Sequence, residues 1–274
     1  MSLVLNGTVV LAGAGKMGAA MLTGWLARGL DPKSIIIQDP ALSSDAAELA
    51  RKHGIRTEAI ISRLETAPAV IIAAVKPQVM DQVFAPLAKL AGPNTVVLSV
   101  AAGRSIASFE KHLAPGIAVV RAMPNTPAAI GRGMTGAVGN AHLTSAQKNT
   151  CDALLRAVGD VVWVKDEALI DAVTAVSGSG PAYVFLLSEC LAEAGRAAGL
   201  DAATAMQLAR ATVSGAGELL HQSASDPATL RQNVTSPGGT TAAALAVLMR
   251  ESDGLQRLMT EAVLAAKKRG RELG

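Results

Sequence analysis

Short apolar stretches alternate with amphipathic segments along the first part of the chain. Apolar runs without polar interruption are typical of strands buried on both faces, and the segments between them have helical periodicity. The predicted strands are residues 8–12, 34–38, 69–75, 95–100, 117–122 and 161–164, with 133–139 as a further strand near the sheet edge. The predicted helices are 16–28, 44–53, 78–90, 105–113 and 145–158. This alternation predicts an α/β domain over residues 1–164, with a mostly parallel, doubly wound sheet between helices.

The pattern changes after residue 164, where strand signals end. The predicted helices there are 166–176, 182–198, 202–223, 240–250 and 254–272, with glycine- or proline-marked breaks at 177–181, 199–201 and 236–239. Residues 165–274 are therefore expected to form an all-helical domain. These helices are apolar around much of their circumference, which indicates packing either against the first domain or against a second copy. We favour a dimer interface.

A glycine-rich turn follows the first predicted strand directly and opens the first helix. Its residues are Gly13, Ala14, Gly15, Lys16, Met17 and Gly18. Strand, tight glycine turn and helix start are the parts of a dinucleotide-binding unit, in which backbone N–H groups and the helix dipole favour a pyrophosphate. The motif alone is weak evidence in a chain with 26 glycines. A turn that binds nothing is the alternative.

Asp39 ends the second predicted strand, where an acidic side chain can accept hydrogen bonds from the adenosine ribose and repel a 2′-phosphate. This position favours NADH, while NADPH stays open, and a simple turn residue before Pro40 is the alternative. Ligands of such sheets lie beyond the carboxyl ends of the strands, so Val75, Lys76 and Ala102 are further candidate cofactor residues. For Lys76 the alternative is an exposed lysine held extended by the following proline.

A second glycine-rich helix start lies in the helical part, over residues 233–241. Its exposed N–H groups suit a carboxylate, and the hydroxyl of Thr241 adds a donor or acceptor. The alternative is an ordinary helix cap after a proline-glycine turn.

Composition excludes several other classes of function. The net charge of +3 and the 2% aromatic content do not favour nucleic-acid binding. The two cysteines and four histidines show no metal-ligand spacing, so no metal is expected and a reducing cytoplasm is the simplest setting. No continuous apolar run reaches membrane-spanning length, and no signal peptide is expected.

Six segments together resemble the pyrroline-5-carboxylate reductase family over nearly the whole chain. They are residues 13–18, 74–77, 99–103, 123–127, 171–183 and 233–241. The sequences Ser-Gly-Ser-Gly-Pro-Ala-Tyr and Ser-Pro-Gly-Gly-Thr-Thr are highly specific together, whereas the glycine turn alone is not. One departure is Gln38-Asp39, where many relatives carry Ser, Asn or Arg; it puts a preference for NADPH in doubt.

The resemblance implies a Rossmann domain followed by a helical dimerisation domain, with dimers that commonly assemble into a ring of five dimers. It also implies a 1-pyrroline-5-carboxylate site formed by the loop of one subunit and the nicotinamide of another. Thr241 is then the catalytic residue. The implied substrate contacts are Glu167, Asn233, Gly238, Gly239, Thr240 and Thr241.

Two rival functions share parts of this pattern. A β-hydroxyacid dehydrogenase has a similar layout but usually brings a catalytic lysine from the second domain, and no lysine lies between Lys165 and Lys267. A non-catalytic dinucleotide sensor would not need the loop at 238–241.

Overall fold

The computed structural model describes residues 3–273 and places eight strands of that segment in one sheet. The strands are β1 (Val9–Ala12), β2 (Ile35–Gln38), β3 (Arg56–Glu58), β4 (Val70–Ala73), β5 (Val96–Ser99), β6 (Ala118–Met123), β7 (Gly133–Gly139) and β8 (Gly159–Trp163). Their spatial order is β3-β2-β1-β4-β5-β6-β7-β8, and only the β6–β7 pairing is antiparallel. The first six strands thus have the order typical of a Rossmann fold.

Continuous apolar stretches account for the central strands. Every residue of β1, β2, β4 and β5 is buried, because helices cover both faces of the sheet. Two hydrophobic clusters result: one contains Leu11 and Trp25, and the other contains Val10 and Phe84. Leu11 and Val10 are neighbours in β1, so alternate residues of the same strand supply the two cores.

Eleven α-helices are present in the described part of the chain. They are α1 (Lys16–Ala27), α2 (Ser44–His53), α3 (Met80–Ala88), α4 (Ile106–Glu110), α5 (Ser145–Arg156), α6 (Ile170–Val173), α7 (Gly180–Ala197), α8 (Ala202–Gln222), α9 (Pro227–Asn233), α10 (Thr240–Leu248) and α11 (Leu255–Leu273). Since α1, α3 and α4 follow β1, β4 and β5, their N-terminal ends lie beyond the carboxyl ends of those strands. The loops that can bind a ligand therefore lie together on the side of the sheet where the parallel strands have their carboxyl ends.

The chain forms two compact units. The first contains the sheet, ends at Gly178 and also takes in the end of α11 from Lys267 onward, while the second is Ser179–Ala266. The predicted α/β architecture with a helical second part is confirmed. The functional boundary near residue 164 stays a prediction, and the segment between it and Gly178 packs with the sheet.

The second unit is helical and exposes many large apolar side chains. In this single copy Phe185 is 62% exposed, and Leu186 on the same helix and Leu219 on α8 are more than half exposed. Asp201 and Asp226 cap α8 and α9 by accepting hydrogen bonds from backbone N–H groups. The caps fix where these helices begin, but the unit leaves much apolar surface uncovered.

Sequence periodicity missed two features, since β3 and α9 were not predicted. The predicted break at 177–181 lies where a π-helical stretch, Thr174–Gly178, ends and α7 begins at Gly180 after the N-cap Ser179. Pro181 is tolerated there since it lies in the first turn of α7, where its missing N–H has no intrahelical partner. Residues 167–197 contain no continuous apolar run of membrane-spanning length, in line with the sequence prediction. By length and composition alone, however, the helical segment Glu167–Ala197 is long and apolar enough to cross a membrane.

Candidate active site

The glycine turn is fixed by hydrogen bonds to the two strands beside β1. The Gly13 N–H donates to the carbonyl of Gln38 at 2.9 Å, and the Ala74 N–H donates to the carbonyl of Ala12 at 2.8 Å. Gly13 has a φ of +91°, and a Cβ there would lie 2.8 Å from the Ala74 carbonyl oxygen. Only glycine fits this conformation and this approach.

The start of α1 is open towards solvent. Gly15 is its N-cap, no side chain caps the helix, and no atom lies within 4 Å of the place where a Gly15 Cβ would be. Gly18, by contrast, packs beneath the turn, where a Cβ would lie 2.3 Å from the Gly13 carbonyl oxygen. Uncapped N–H groups with open space in front of them suit an anion, and the helix dipole adds to the attraction.

A cleft of about 580 Å³ begins at this turn. Five of the predicted cofactor residues line it: Gly13, Gly15, Asp39, Val75 and Lys76. Residues that sequence patterns did not predict complete the walls, and they are Gln38, Pro40, Ala59, Ile60, Val79, Gln82, Val83 and Pro86, with Ala74 beside Val75. The cleft therefore runs from the glycine turn across the ends of β2 and β4.

Asp39 lies at the rim of the cleft with both carboxylate oxygens engaged. Oδ2 accepts a hydrogen bond from the Ala14 N–H at 2.8 Å, and Oδ1 accepts one from the Ala41 N–H at 2.9 Å. Ser43 donates its hydroxyl to the Ala14 carbonyl at 3.3 Å. The carboxylate thus fixes the glycine turn to the loop after β2 and also puts a negative charge beside the cleft.

Gln38 and Ile60 are the most informative of the unpredicted residues. Gln38 is buried, and its Oε1 accepts a hydrogen bond from the Ile61 N–H at 2.7 Å, which holds the loop after β3 beside the cleft. Ile60 is 69% exposed there. Sequence patterns do not predict that Ile60 lines the cleft, because a single apolar residue in a loop belongs to no periodic pattern.

The other predicted cofactor residues lie close to the turn or beyond β5. Ala14 is fully buried behind the turn, and Lys16, Met17 and Gly18 form the first turn of α1. Ala102 is exposed in the loop that follows β5. None of these five lines the cleft, so their contact with a cofactor stays a prediction.

The second glycine-rich helix start belongs to the other compact unit. Asn233 ends α9, Gly238 has a φ of +70°, and Gly239 is the N-cap of α10 without any side-chain cap. Thr240 is exposed and Thr241 is half-buried. The start of α10 thus has the same uncapped form as the start of α1, with a glycine as the N-cap, and the ligand contacts expected of these residues stay predictions.

Glu167 lies in the sheet-containing unit, in the turn Glu167–Leu169. Its Oε1 accepts hydrogen bonds from the Ile106 N–H at 2.8 Å and from Arg121 Nη1 at 3.0 Å. The carboxylate is therefore held by the protein itself, and the substrate contact expected for it stays a prediction.

Both cysteines are free thiols, with Cys151 buried in the core of the sheet-containing unit and Cys190 exposed on α7. Burial raises the pKa of the Cys151 thiol to about 12, which keeps it protonated and unreactive at neutral pH. No group of three or more His, Cys, Asp or Glu side chains in that segment is placed to hold a metal ion.

The sheet order, the glycine turn and the cleft at its edge define the class of protein. They are the features of a dinucleotide-dependent oxidoreductase of the Rossmann type.

Comparison with known proteins identifies the family. Residues 167–273 match the family model described as pyrroline-5-carboxylate reductase dimerisation, and residues 8–103 match the model described as NADP oxidoreductase, coenzyme F420-dependent. The chain is 40% identical over 265 residues to a pyrroline-5-carboxylate reductase of Pseudomonas aeruginosa, covering 97% of this chain and 96% of that one. It therefore belongs to the pyrroline-5-carboxylate reductase family, and it is an NAD(P)H-dependent oxidoreductase.

Solved structures agree with this family. A pyrroline-5-carboxylate reductase from Coxiella burnetii superposes with a TM-score of 0.91 at 36% identity, covering 98% of this chain and 99% of that one. A pyrroline carboxylate reductase from Plasmodium falciparum with NADP bound superposes with a TM-score of 0.79 at 26% identity, covering 98% of each chain.

Substitution of Gly15 tests the anion site at the start of α1. The space around this position is open, so Gly15→Ala is expected to leave the melting temperature unchanged. The added methyl group would occupy space that a bound pyrophosphate needs at the turn. We therefore expect the Kd for NADH to rise by about tenfold or more, equivalent to ~1.4 kcal/mol. Titration of cofactor fluorescence measures the Kd.

Gly215→Ala in α8 is the matched control, since a Cβ at Gly215 also meets open space. It is expected to leave the Kd for NADH unchanged. An unchanged Kd in Gly15→Ala would show that the dinucleotide does not approach this turn.

Proposed function

We propose how this chain carries out the reaction of its family, the reduction of the cyclic imine 1-pyrroline-5-carboxylate to L-proline by NADH or NADPH. The reaction is the final step of proline biosynthesis. The observation that carries the proposal is the cleft of about 580 Å³ that opens at the uncapped start of α1. The uncapped start of α10 supplies a second anion site for the substrate carboxylate.

The first part of the proposal concerns the cofactor. The N–H groups at the start of α1 bind its pyrophosphate, and residues from Gly13 to Gly18 form the cradle. Apolar side chains that line the cleft, such as Ile60 and Val79, suit the flat adenine ring. Val75, Lys76 and Ala102 extend the contact along the ends of β4 and β5.

The choice between the two cofactors follows from Asp39. A ribose 2′-hydroxyl can donate a hydrogen bond to a carboxylate, whereas a 2′-phosphate at the same place brings two negative charges together. Asp39 is held at the cleft by the Ala14 and Ala41 N–H groups, so it cannot easily turn away. We therefore propose a preference for NADH. The Plasmodium falciparum structure contains NADP, and NADPH remains usable within the proposal.

The second part of the proposal concerns the substrate. The N–H groups at the start of α10, with Asn233, Gly238, Gly239 and Thr240, bind the carboxylate and orient the ring. The Thr241 hydroxyl is the catalytic group: it holds the ring nitrogen and relays a proton from solvent water to it, so that the hydroxyl is regenerated. When bound, the reduced cofactor supplies a hydride to the imine carbon. An iminium accepts hydride more readily than a neutral imine, so the reaction needs a proton on the ring nitrogen but no strong base in the protein.

A homodimer through the C-terminal helices completes the proposal. The second unit exposes Phe185, Leu186, Leu219 and Leu258, and such surface is normally covered by a partner. The matched dimerisation model spans residues 167–273, which include this surface and the apolar helical segment Glu167–Ala197. We further propose that the loop at 233–241 serves the cofactor of the partner, that dimers assemble into a decamer, and that the enzyme is cytoplasmic.

The reaction itself is tested by cofactor oxidation. Addition of 1-pyrroline-5-carboxylate to the purified protein with NADH is expected to remove nicotinamide absorbance and yield proline in equal amounts, because the hydride and proton both end on the imine. A β-hydroxyacid is expected to give no cofactor reduction with NAD⁺. Cofactor binding without imine turnover would contradict the proposed activity and favour a sensor.

Replacement of Asp39 tests the choice of cofactor. Asp39→Asn keeps an oxygen that can accept from the Ala14 N–H but removes the negative charge. The ratio of kcat/KM for NADPH to kcat/KM for NADH is expected to rise by roughly tenfold or more, about 1.4 kcal/mol, as repulsion of the 2′-phosphate is lost.

Steady-state kinetics with each cofactor gives this ratio for the wild type and the variant. A wild-type enzyme that strongly prefers NADPH, with the ratio unaltered in Asp39→Asn, would remove Asp39 from cofactor selection.

Thr241 is tested by removing its hydroxyl and then restoring it. Thr241→Ala is expected to lower kcat/KM for the imine by roughly one to two decades, because a hydrogen bond near developing charge is worth about 1.5–3 kcal/mol. Thr241→Ser keeps the hydroxyl and is expected to recover most of the activity. Equal kinetics for the alanine variant and the wild type would take Thr241 out of the mechanism.

A further inference from the structure

The carboxylate of Glu167 joins three separate elements of the sheet-containing unit. Glu167 lies in the turn before α6, and its Oε1 accepts hydrogen bonds from the Ile106 N–H of α4 and from Arg121 of β6. An N–H in the first turn of a helix has no intrahelical acceptor, and a negative charge there is favourable. Glu167 therefore anchors the start of α4 from a distant part of the sequence.

The start of α4 is also the end of the loop that leaves β5. This loop contains Ala102 and turns at Gly103, which has a φ of +68°. Arg104 in the same loop forms an ion pair with Asp81 of α3. Hydrogen bonds from His112 and Arg104 hold the pKa of Asp81 below its usual value, so this partner is charged at neutral pH. The loop is thus held by two contacts, the ion pair of Arg104 with Asp81 and the hydrogen bond from the Ile106 N–H to Glu167.

Arg121 fixes the orientation of Glu167. The side chain of Arg121 is only 13% exposed, and a guanidinium with so little contact with water needs a charged partner. Glu167 is that partner at 3.0 Å, while the carboxylate of Asp171 lies 3.9 Å from Arg121. Arg121 is paired in register with Ser99, the last residue of β5. The arginine therefore ties the Glu167 carboxylate to the strand from which the loop emerges.

We propose that Glu167 and Arg121 are positioning residues that hold the loop at 101–105 against the cofactor. This rests on the proposed function, because Ala102 in that loop is a proposed cofactor contact. Glu167 acts through the backbone of α4 in this account, not as a direct substrate ligand. Ser105 caps α4 by accepting a hydrogen bond from the Ser108 N–H, so it does not replace Glu167 as the acceptor for the Ile106 N–H.

Substitution of Glu167 separates this role from a substrate contact. In Glu167→Ala, amide hydrogen exchange over residues 102–108 is expected to become at least tenfold faster, because the anchor on Ile106 is lost. We expect kcat for the imine to fall by about tenfold, as the hydride geometry depends on that loop. The Kd for ADP-ribose, which lacks the nicotinamide, is expected to stay the same.

Two further variants serve as rescue and control. Glu167→Gln keeps an acceptor oxygen for Ile106, while the Asp171 carboxylate, 3.9 Å from Arg121, still supplies that arginine with a negative charge. It is expected to recover most of the exchange protection and of kcat. Glu110→Gln changes the other end of α4, where Glu110 accepts a hydrogen bond from Asn140 at 2.9 Å. It is expected to leave both quantities unchanged.

Three results would overturn the proposal. A higher KM for the imine in Glu167→Ala with unchanged exchange over 102–108 would make Glu167 a substrate contact. Faster amide exchange throughout the sheet in Glu167→Ala would show that Glu167 only stabilises the unit as a whole. A kcat and an exchange rate equal to those of the wild type would show that Glu167 does not position the loop. If the wild type does not reduce the imine, the proposed function fails, but the exchange measurement still decides whether Glu167 anchors the loop.

Discussion

The close approach of Gly13 to its neighbouring strands is the constraint on which the site depends. A side chain at this position would collide with the Ala74 carbonyl, and the φ of +91° would strain any residue other than glycine. β1 is paired on both sides, with β2 and with β4, so the turn that follows it lies close to the backbone of the neighbouring strands. The turn then presents the start of α1 to the cleft at the sheet edge.

Polar side chains in the sheet-containing unit fix backbone segments at three places. Asp39 fixes the glycine turn through Ala14, Gln38 fixes the loop after β3 through Ile61, and Glu167 fixes the start of α4 through Ile106. No side chain caps α1 or α10, which also holds for α3, α6 and α7, but α1 and α10 have a glycine as the N-cap. A helix start without a cap or a bulky N-cap residue is suited to an external anion, and in the proposed function the pyrophosphate and the substrate carboxylate are these anions.

Sequence patterns predicted the sheet because strands buried on both faces have continuous apolar stretches. They predicted the glycine turn because Gly13, Gly15 and Gly18 directly follow the first of these strands. They also placed Asp39, Val75 and Lys76 at the edge of the sheet, where the structure places them. Ile60 could not be predicted, because a loop residue has no period. The contact of Glu167 with Arg121 joins residues 46 positions apart and depends on tertiary packing. Glycine and proline marked the break at 177–181, and α7 begins there at Gly180, with Pro181 in its first turn.

The central claim is that two uncapped helix starts bind the two anions of one reaction. A crystal structure of the protein with NAD⁺ and L-proline tests it most directly. The account predicts the pyrophosphate on the N–H groups at the start of α1 and the proline carboxylate on those at the start of α10, with Thr241 beside the ring nitrogen. A proline carboxylate bound to any other part of the protein, with α10 not in contact, would contradict the account.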